Sequence, residues 1–290
     1  MAVRTAVIPA AGMGTRFLPA TRATPKELLP IYDTPALQFV IDEAAQAGCT
    51  RVVIVTSRAK PSIENYASAA STDKFAVSVV YQDSPLGLGH AVSCARQAVG
   101  DEPFVVMLPD EIMGDASLTK QLVGLYEQSG KSSIGLKRVP TAEVSSYGNV
   151  KVASGASTAE SSVAILQVVE KPKPVDAVSD IVIIGRYVLS PKIFEKLEQI
   201  KPSANGELQL TDALAMLASE NALVGVVSEI TRYDTGTPMG LLPSSAPFCV
   251  RFSSASSQVQ PPRIRRPSRG SPKKATSTPR ACSPRSTTRR

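Results

Sequence analysis

The chain has 290 residues, 43% of them hydrophobic, and a formal net charge of +7. That supports one large or two small packed domains, while no apolar run approaches the roughly 20 residues of a membrane span. The N-terminus shows no long apolar leader, so a cytoplasmic protein is expected. With one histidine and four cysteines (Cys49, Cys94, Cys249, Cys282), none at CxxC spacing, a His/Cys zinc site is hard to build. Cys49 and Cys94 read as small buried hydrophobes.

The charge is unevenly spread. Residues 243–290 hold nine Arg, two Lys and no acid, so that stretch carries +11 and residues 1–242 carry −4. The basicity therefore says nothing about what the body binds.

In chain order, a first predicted strand (4–8) enters a loop with Gly12 and Gly14. The spacing is neither GxGxxG, since position 17 is Phe, nor Walker A, since no GK[ST] follows. Backbone N–H groups of Gly12 to Thr15 can wrap a triphosphate, with Arg16 and Lys26 supplying positive charge. A helix (36–47), strand (51–56), helix (62–69) and strand (77–81) follow. The next loop reads QDSPLGLGH: Gln82 can read a base edge through its amide, glycines allow close approach of a planar base, and His90 is expected to start a helix or wall a pocket.

A helix (90–99) leads to a strand (104–108) ending in Leu-Pro-Asp-Glu. Asp110 at that strand's carboxyl end suits Mg²⁺ held with phosphate oxygens, and Asp234 in Tyr-Asp-Thr-Gly is a matching carboxylate. Beyond a helix (118–128) and a strand (133–138) come Tyr147-Gly148, a strand (163–169) ending in Glu170-Lys171-Pro, and a strand (181–188) containing Gly185-Arg186. Glu170 can accept sugar hydroxyls and Lys171 adds a cation for a second phosphate. Helices at 191–199 and 211–219 and a strand at 223–227 complete the body. Continuous apolar strands (VVIVT, FVVML, IVIIG) alternating with helices predict an α/β fold, a mixed, mainly parallel central sheet flanked by helices, with ligands beyond the carboxyl ends of the strands.

Residues 243–290 contain 11 Ser and 8 Pro with no hydrophobic periodicity, and are expected to be a disordered basic tail following a 1–242 domain. The abrupt change after YDTGTPMGLL matches what a reading-frame shift near codon 240 would produce. Resequencing tests this, and an intact protein mass agreeing with an unshifted frame would sink it.

Taken in order, AAGMGTRFLP, PKELLP, QDSPLGLGHAV, LPDE, YGNV, VEKPKP, IIGRYVLS, NGELQLTDAL and YDTG resemble the bacterial UTP–glucose-1-phosphate uridylyltransferases (UDP-glucose pyrophosphorylases) over about residues 3–242. The resemblance implies a Rossmann-like, GT-A-like nucleotidyltransferase fold and Mg²⁺-dependent transfer of UMP from UTP to glucose 1-phosphate, releasing pyrophosphate. It implies that the loop Ala10, Ala11, Gly12, Met13, Gly14, Thr15 and Arg16 wraps UTP. Ala11 and Gly12 would lie near uracil, and Gln82 and Gly87 would read the base. Gly148, Glu170 and Gly185 would lie at the sugar, Lys171 at its phosphate, and Asp110 and Asp234 would bind Mg²⁺, with Arg16, Lys26 and Lys171 as the reaction's cations. The implied partners are UTP and glucose 1-phosphate, with a homo-oligomeric assembly if the C-terminal region permits it; no membrane or nucleic-acid partner is expected. The link at 68–75 is shorter than the helical insertion usual in that family. A thymidylyltransferase-type sister and an inactive nucleotide-binding chain are the alternatives.

Overall fold

The structure, a computed structural model, describes residues 2–153 and 162–241. The expected tail at 243–290, with Cys249 and Cys282, lies outside the described residues.

The first half of the chain lays down β1 (Thr5–Pro9), the short hairpin β2 (Pro30–Ile31) and β3 (Thr34–Pro35), α1 (Ala36–Gln46), β4 (Arg51–Thr56), α2 (Pro61–Ala70), β5 (Ala76–Tyr81), α3 (Gly87–Cys94), α4 (Arg96–Val99), β6 (Phe104–Met107), β7 (Glu111–Met113) and α5 (Ser117–Ser129). The second half adds β8 (Ser132–Arg138), β9 (Gly148–Val152), β10 (Ser162–Glu170), β11 (Ile181–Leu189), α6 (Lys192–Gln199), α7 (Leu210–Ser219), β12 (Leu223–Val227) and β13 (Arg232–Asp234). The short link after α2 is closed by an isolated bridge between Thr72 and Phe75. No helix among the described residues is long and apolar enough to cross a membrane.

Nine strands form one mixed sheet in the order β5-β4-β1-β6-β11-β8-β12-β10-β9. From β5 to β6 the pairing is parallel throughout. Antiparallel pairs enter at β11, and only β8–β12 is parallel beyond it. Strands β4, β6 and β12 are nearly all apolar because successive residues serve opposite faces and both faces are buried. Val7, Val53, Val55, Phe104 and Val106 pack with α3, α6 and α7, while Ala6, Ile8, Val52, Ile54, Val105 and Met107 pack with α1, α2 and α5. Parallel strands need crossover connections, and the helices that supply them cover both faces. The carboxyl ends of β1, β4, β5 and β6 are thereby left at one edge, where the loops collect.

Candidate active site

The glycine loop leaves β1 at that edge. The Ala10 N–H donates to the Val55 carbonyl at 2.7 Å, and Gly14 at φ 64° reverses the chain, its carbonyl accepting from Thr21 Oγ1 at 2.8 Å. Beneath it lies Lys60, which sequence reasoning passed over. Its Nζ donates to the carbonyls of Ala10 (2.8 Å) and Gly12 (2.5 Å) and to both carboxylate oxygens of Glu27 (3.2 and 3.1 Å). Glu27 is 2% exposed. Burial pushes the Glu27 carboxyl up and the Lys60 ammonium down, and the partner's charge is the leading opposing influence on each. Among the described residues, none of the N–H groups of residues 11–16 has an acceptor within the protein. The loop therefore faces a ligand with donors while its carbonyls are engaged behind.

The second loop follows β5. The Gln82 N–H donates to the Thr56 carbonyl at 2.7 Å, and its side-chain Nε2 lies 3.0 Å from the Gly87 carbonyl and 2.9 Å from His90 Nδ1. Gly87, at φ 92°, admits no side chain: a Cβ would sit 2.8 Å from the Leu208 carbonyl oxygen and from Glu207 Cβ. Gly89 N–H donates to the Leu208 carbonyl and Leu208 N–H to that of Leu86, both at 2.8 Å, so this loop is stitched to the segment that precedes α7.

The third loop carries Asp110. It is held from below by Arg186, fully buried in β11, whose guanidinium grips Glu43 (2.8 and 2.7 Å) and the carbonyls of Leu108 (3.2 Å), Gly185 (2.9 Å) and Glu111 (2.7 Å). Strand β13 pairs with β7, placing Asp234 opposite Glu111. Thr235 N–H donates to the Asp110 carbonyl (2.7 Å) and Gly236 N–H to Asp234 Oδ1 (2.9 Å). The two aspartates 124 residues apart thus converge: a Cβ on Gly236 would lie 3.1 Å from Asp234 Oδ1 and 3.3 Å from Asp110 Oδ2. Lys26 Nζ donates to Asp110 Oδ2 at 2.7 Å. Burial pushes the Asp110 carboxyl up, but the Lys26 charge and hydrogen bond, helped by Arg16, outweigh it and hold that carboxyl below its ordinary value.

Across the cleft, Gly148 pairs with Glu170 between β9 and β10. Glu170 accepts from Thr211 Oγ1 at 2.9 Å and from Lys171 Nζ at 3.0 Å, and Lys171 turns outward at φ 39°. Arg232 ties this side to β7, donating to Glu111 Oε2 (2.9 Å) and Tyr147 Oη (2.8 Å). The resulting cleft, about 380 Å³, is lined by Ala11, Gly12, Gln82, Gly87, Gly148, Glu170 and Lys171 among the expected residues. Arg16, Lys26, Asp110 and Asp234 cluster beside it, next to the lining residues Leu108 and Glu111. Ala10 is buried beneath the loop, and Met13 is 65% exposed. Gly185 is not among the residues lining the cleft: it lies mid-strand, its missing side chain making room for Leu108 (a Cβ would be 2.7 Å away) and its N–H bonding Glu111. His90 lies inside α3 behind Gln82 and does not line the cleft.

The sequence matches the nucleotidyl transferase family over residues 5–247. The chain belongs to that family. This nucleotidyltransferase is 38% identical over 271 residues to the UTP–glucose-1-phosphate uridylyltransferase of Staphylococcus epidermidis, covering 86% of this chain and 93% of the relative. It is 39% identical over 274 residues to UTP–glucose-1-phosphate uridylyltransferase 2 of Streptococcus pyogenes, covering 86% and 91%. Among solved structures, a UDP-glucose pyrophosphorylase complexed with UDP-glucose superposes with a TM-score of 0.80 at 36% identity, covering 86% of this chain and 99% of that one. UTP-bound UGPase from Acinetobacter baumannii gives 0.77 at 33%, covering 89% and 100%.

Chemically, the nucleotidyltransferase presents a donor-rich loop, two cations and a carboxylate pair around one gap. The pair fits a hard divalent cation, which takes one or two carboxylates and fills its remaining positions with substrate oxygens and water. Gly236 keeps the gap open, and Thr235 Oγ1, buried next in the chain to Asp234, has no protein partner. The cleft is also lined by Tyr147, already marked in the sequence beside Gly148, and by Glu207, Gln209 and Thr211, to which sequence reasoning gave no role. Glu207, Gln209 and Thr211 all lie in the quoted NGELQLTDAL, which runs into the start of α7 and was their one visible signal.

Proposed function

We propose that residues 1–242 form a uridylyltransferase unit that transfers UMP from UTP to glucose 1-phosphate, releasing pyrophosphate, with Mg²⁺ as the cation. The observation that carries this reading is the juxtaposition of a glycine loop with unpaired N–H donors, Lys26 and the Asp110/Asp234 pair with a cleft that ends on Glu170 and Lys171. Relatives bearing the uridylyltransferase name over more than nine-tenths of their length support it.

In this reading the loop N–H groups and Arg16 bind the triphosphate, while Gln82 and the Gly87 backbone take the base. Glu170, fixed by Thr211, accepts sugar hydroxyls, and Lys171 binds the sugar phosphate. A phosphate oxygen of glucose 1-phosphate attacks the α-phosphorus of UTP. The new P–O bond forms as the α–β anhydride bond breaks, and pyrophosphate carries away the electron pair. The nucleophile is already an anion, so the protein needs no strong general base, and catalysis rests on positioning and charge stabilisation. Lys26 and Arg16 stabilise charge that builds on the α-phosphate and the leaving group. Asp110 and Asp234 would hold Mg²⁺, which when bound neutralises phosphate charge.

The test is pyrophosphate release from the full chain with UTP, glucose 1-phosphate and Mg²⁺. The expected result is release that needs all three. A folded protein that binds UTP without releasing pyrophosphate would overturn the proposal.

A further inference from the structure

We infer that His90 sets the nucleobase preference of the cleft by locking the amide of Gln82 in one orientation. The inference rests on the uridylyl-transfer reading above and adds to it a residue that never touches the base.

The Gly87 carbonyl can only accept a hydrogen bond, so the Gln82 side-chain atom 3.0 Å away from it is the amide nitrogen. The same nitrogen lies 2.9 Å from His90 Nδ1. Nδ1 must therefore accept, which places the imidazole proton on Nε2, facing Cys94 Sγ at 3.9 Å. Both amide hydrogens of Gln82 are then engaged with the protein. Its Oε1 has no donor among the described residues, and Gln82 is a wall of the cleft.

Gln82 thus offers the cleft an acceptor and no donor. In this proposal that acceptor sits opposite N3 of the base, not opposite the C4 substituent, and there uracil presents N3–H, which Oε1 can take. Cytosine presents an unprotonated N3, which meets Oε1 lone pair to lone pair. An amide flip would suit cytosine, but it would turn Oε1 onto both the Gly87 carbonyl and the Nδ1 lone pair. His90 supplies one of the two repulsions that forbid the flip. Unlike the Gly87 carbonyl, it can be removed by a side-chain substitution. A site that pairs one edge pattern and leaves the other unpaired discriminates strongly between otherwise similar ligands.

The test compares UTP and CTP binding to the full chain with Mg²⁺, in wild type and in His90→Leu, His90→Asn and His90→Gln. Asn places an amide oxygen near the position of Nδ1, whereas Gln reaches only that of Nε2. The UTP/CTP preference is expected to fall about tenfold in His90→Leu and His90→Gln and to stay within about twofold of wild type in His90→Asn. A wild type that prefers UTP together with an unchanged preference in Leu and Gln overturns the role of His90. If His90→Leu does not fold, equal preferences in Asn and Gln overturn it. A wild type that does not distinguish UTP from CTP overturns the uridine reading itself.

Discussion

The two walls of the cleft are built differently. The nucleotide wall stands on the parallel half of the sheet and is fixed from inside the protein. Lys60 and Glu27 form a buried ion pair beneath the glycine loop, and Gly87 packs where no side chain fits. The sugar wall stands on the antiparallel half and is fixed at the surface. Lys171 is exposed, and its only ion pair among the described residues is with its neighbour Glu170, itself held by a threonine hydroxyl. In the first wall binding geometry and fold stability are the same interactions. In the second they are separable. Substitutions should therefore split into those that cost stability and those that cost only substrate.

Lys60→Met breaks the comparison hardest. It leaves the Glu27 carboxylate buried without its cation and frees the carbonyls of Ala10 and Gly12. Removing one partner of a buried pair costs about 3–5 kcal/mol. Urea unfolding is expected to show a loss of that size, and a loss below about 1 kcal/mol would mean the loop does not depend on the pair. Gly87→Ala comes next. A non-glycine residue at φ 92° with a Cβ 2.8 Å from backbone costs about 1–3 kcal/mol in strain and displacement. It should weaken UTP binding while leaving glucose 1-phosphate affinity within twofold. Lys171→Ala should do the reverse. Unfolding stays within about 0.5 kcal/mol of wild type, as for an exposed ion pair, while kcat/KM for glucose 1-phosphate falls at least tenfold, about 1.4 kcal/mol. Unchanged kinetics would remove Lys171 from the site.

How much of this was readable in the chain follows from the same physics. Strands such as Arg51–Thr56 and Phe104–Met107 are visible because burial on both faces leaves an apolar run, VVIV and FVVM. Strands β7 and β13 are not, because three residues such as Arg-Tyr-Asp carry no period and are ordered by their pairing and by distant partners such as Arg186 and Tyr147. The Asp110/Asp234 pair is readable as chemistry, but its geometry depends on that unreadable long-range strand pair. Lys60 and Glu27 gave no local signal at all. A Lys before a helix and a Glu inside PKELLP look like solvated charges, and only the meeting of three segments buries them. At Gly185 the glycine has a packing reason that the sequence does not show: a Cβ there would sit 2.7 Å from Leu108 inside the strand.

The smallest expected effect lies where the two walls meet, at Lys26 and Asp110. Their side chains are 19% and 32% exposed, so the pair contributes no more than about 1 kcal/mol after solvent screening. Its pH dependence has a definite sign. The Asp110 carboxyl is held below its ordinary value in the folded protein, so the folded state keeps it ionised where the unfolded chain would already be protonated. The stabilisation is therefore complete above the ordinary carboxylate range and is lost as pH falls through the folded value. In Lys26→Met the leading remaining influence is burial, which raises the carboxyl, so the variant should become less stable relative to wild type at neutral pH. The difference should close in strong acid, where the carboxyl is protonated with or without Lys26. Urea unfolding of both proteins from pH 7 down to about pH 2 measures this. A gap that stays constant over that range would show that Lys26 acts by packing its methylenes, not by its charge, and would leave the low carboxyl unexplained by its nearest cation.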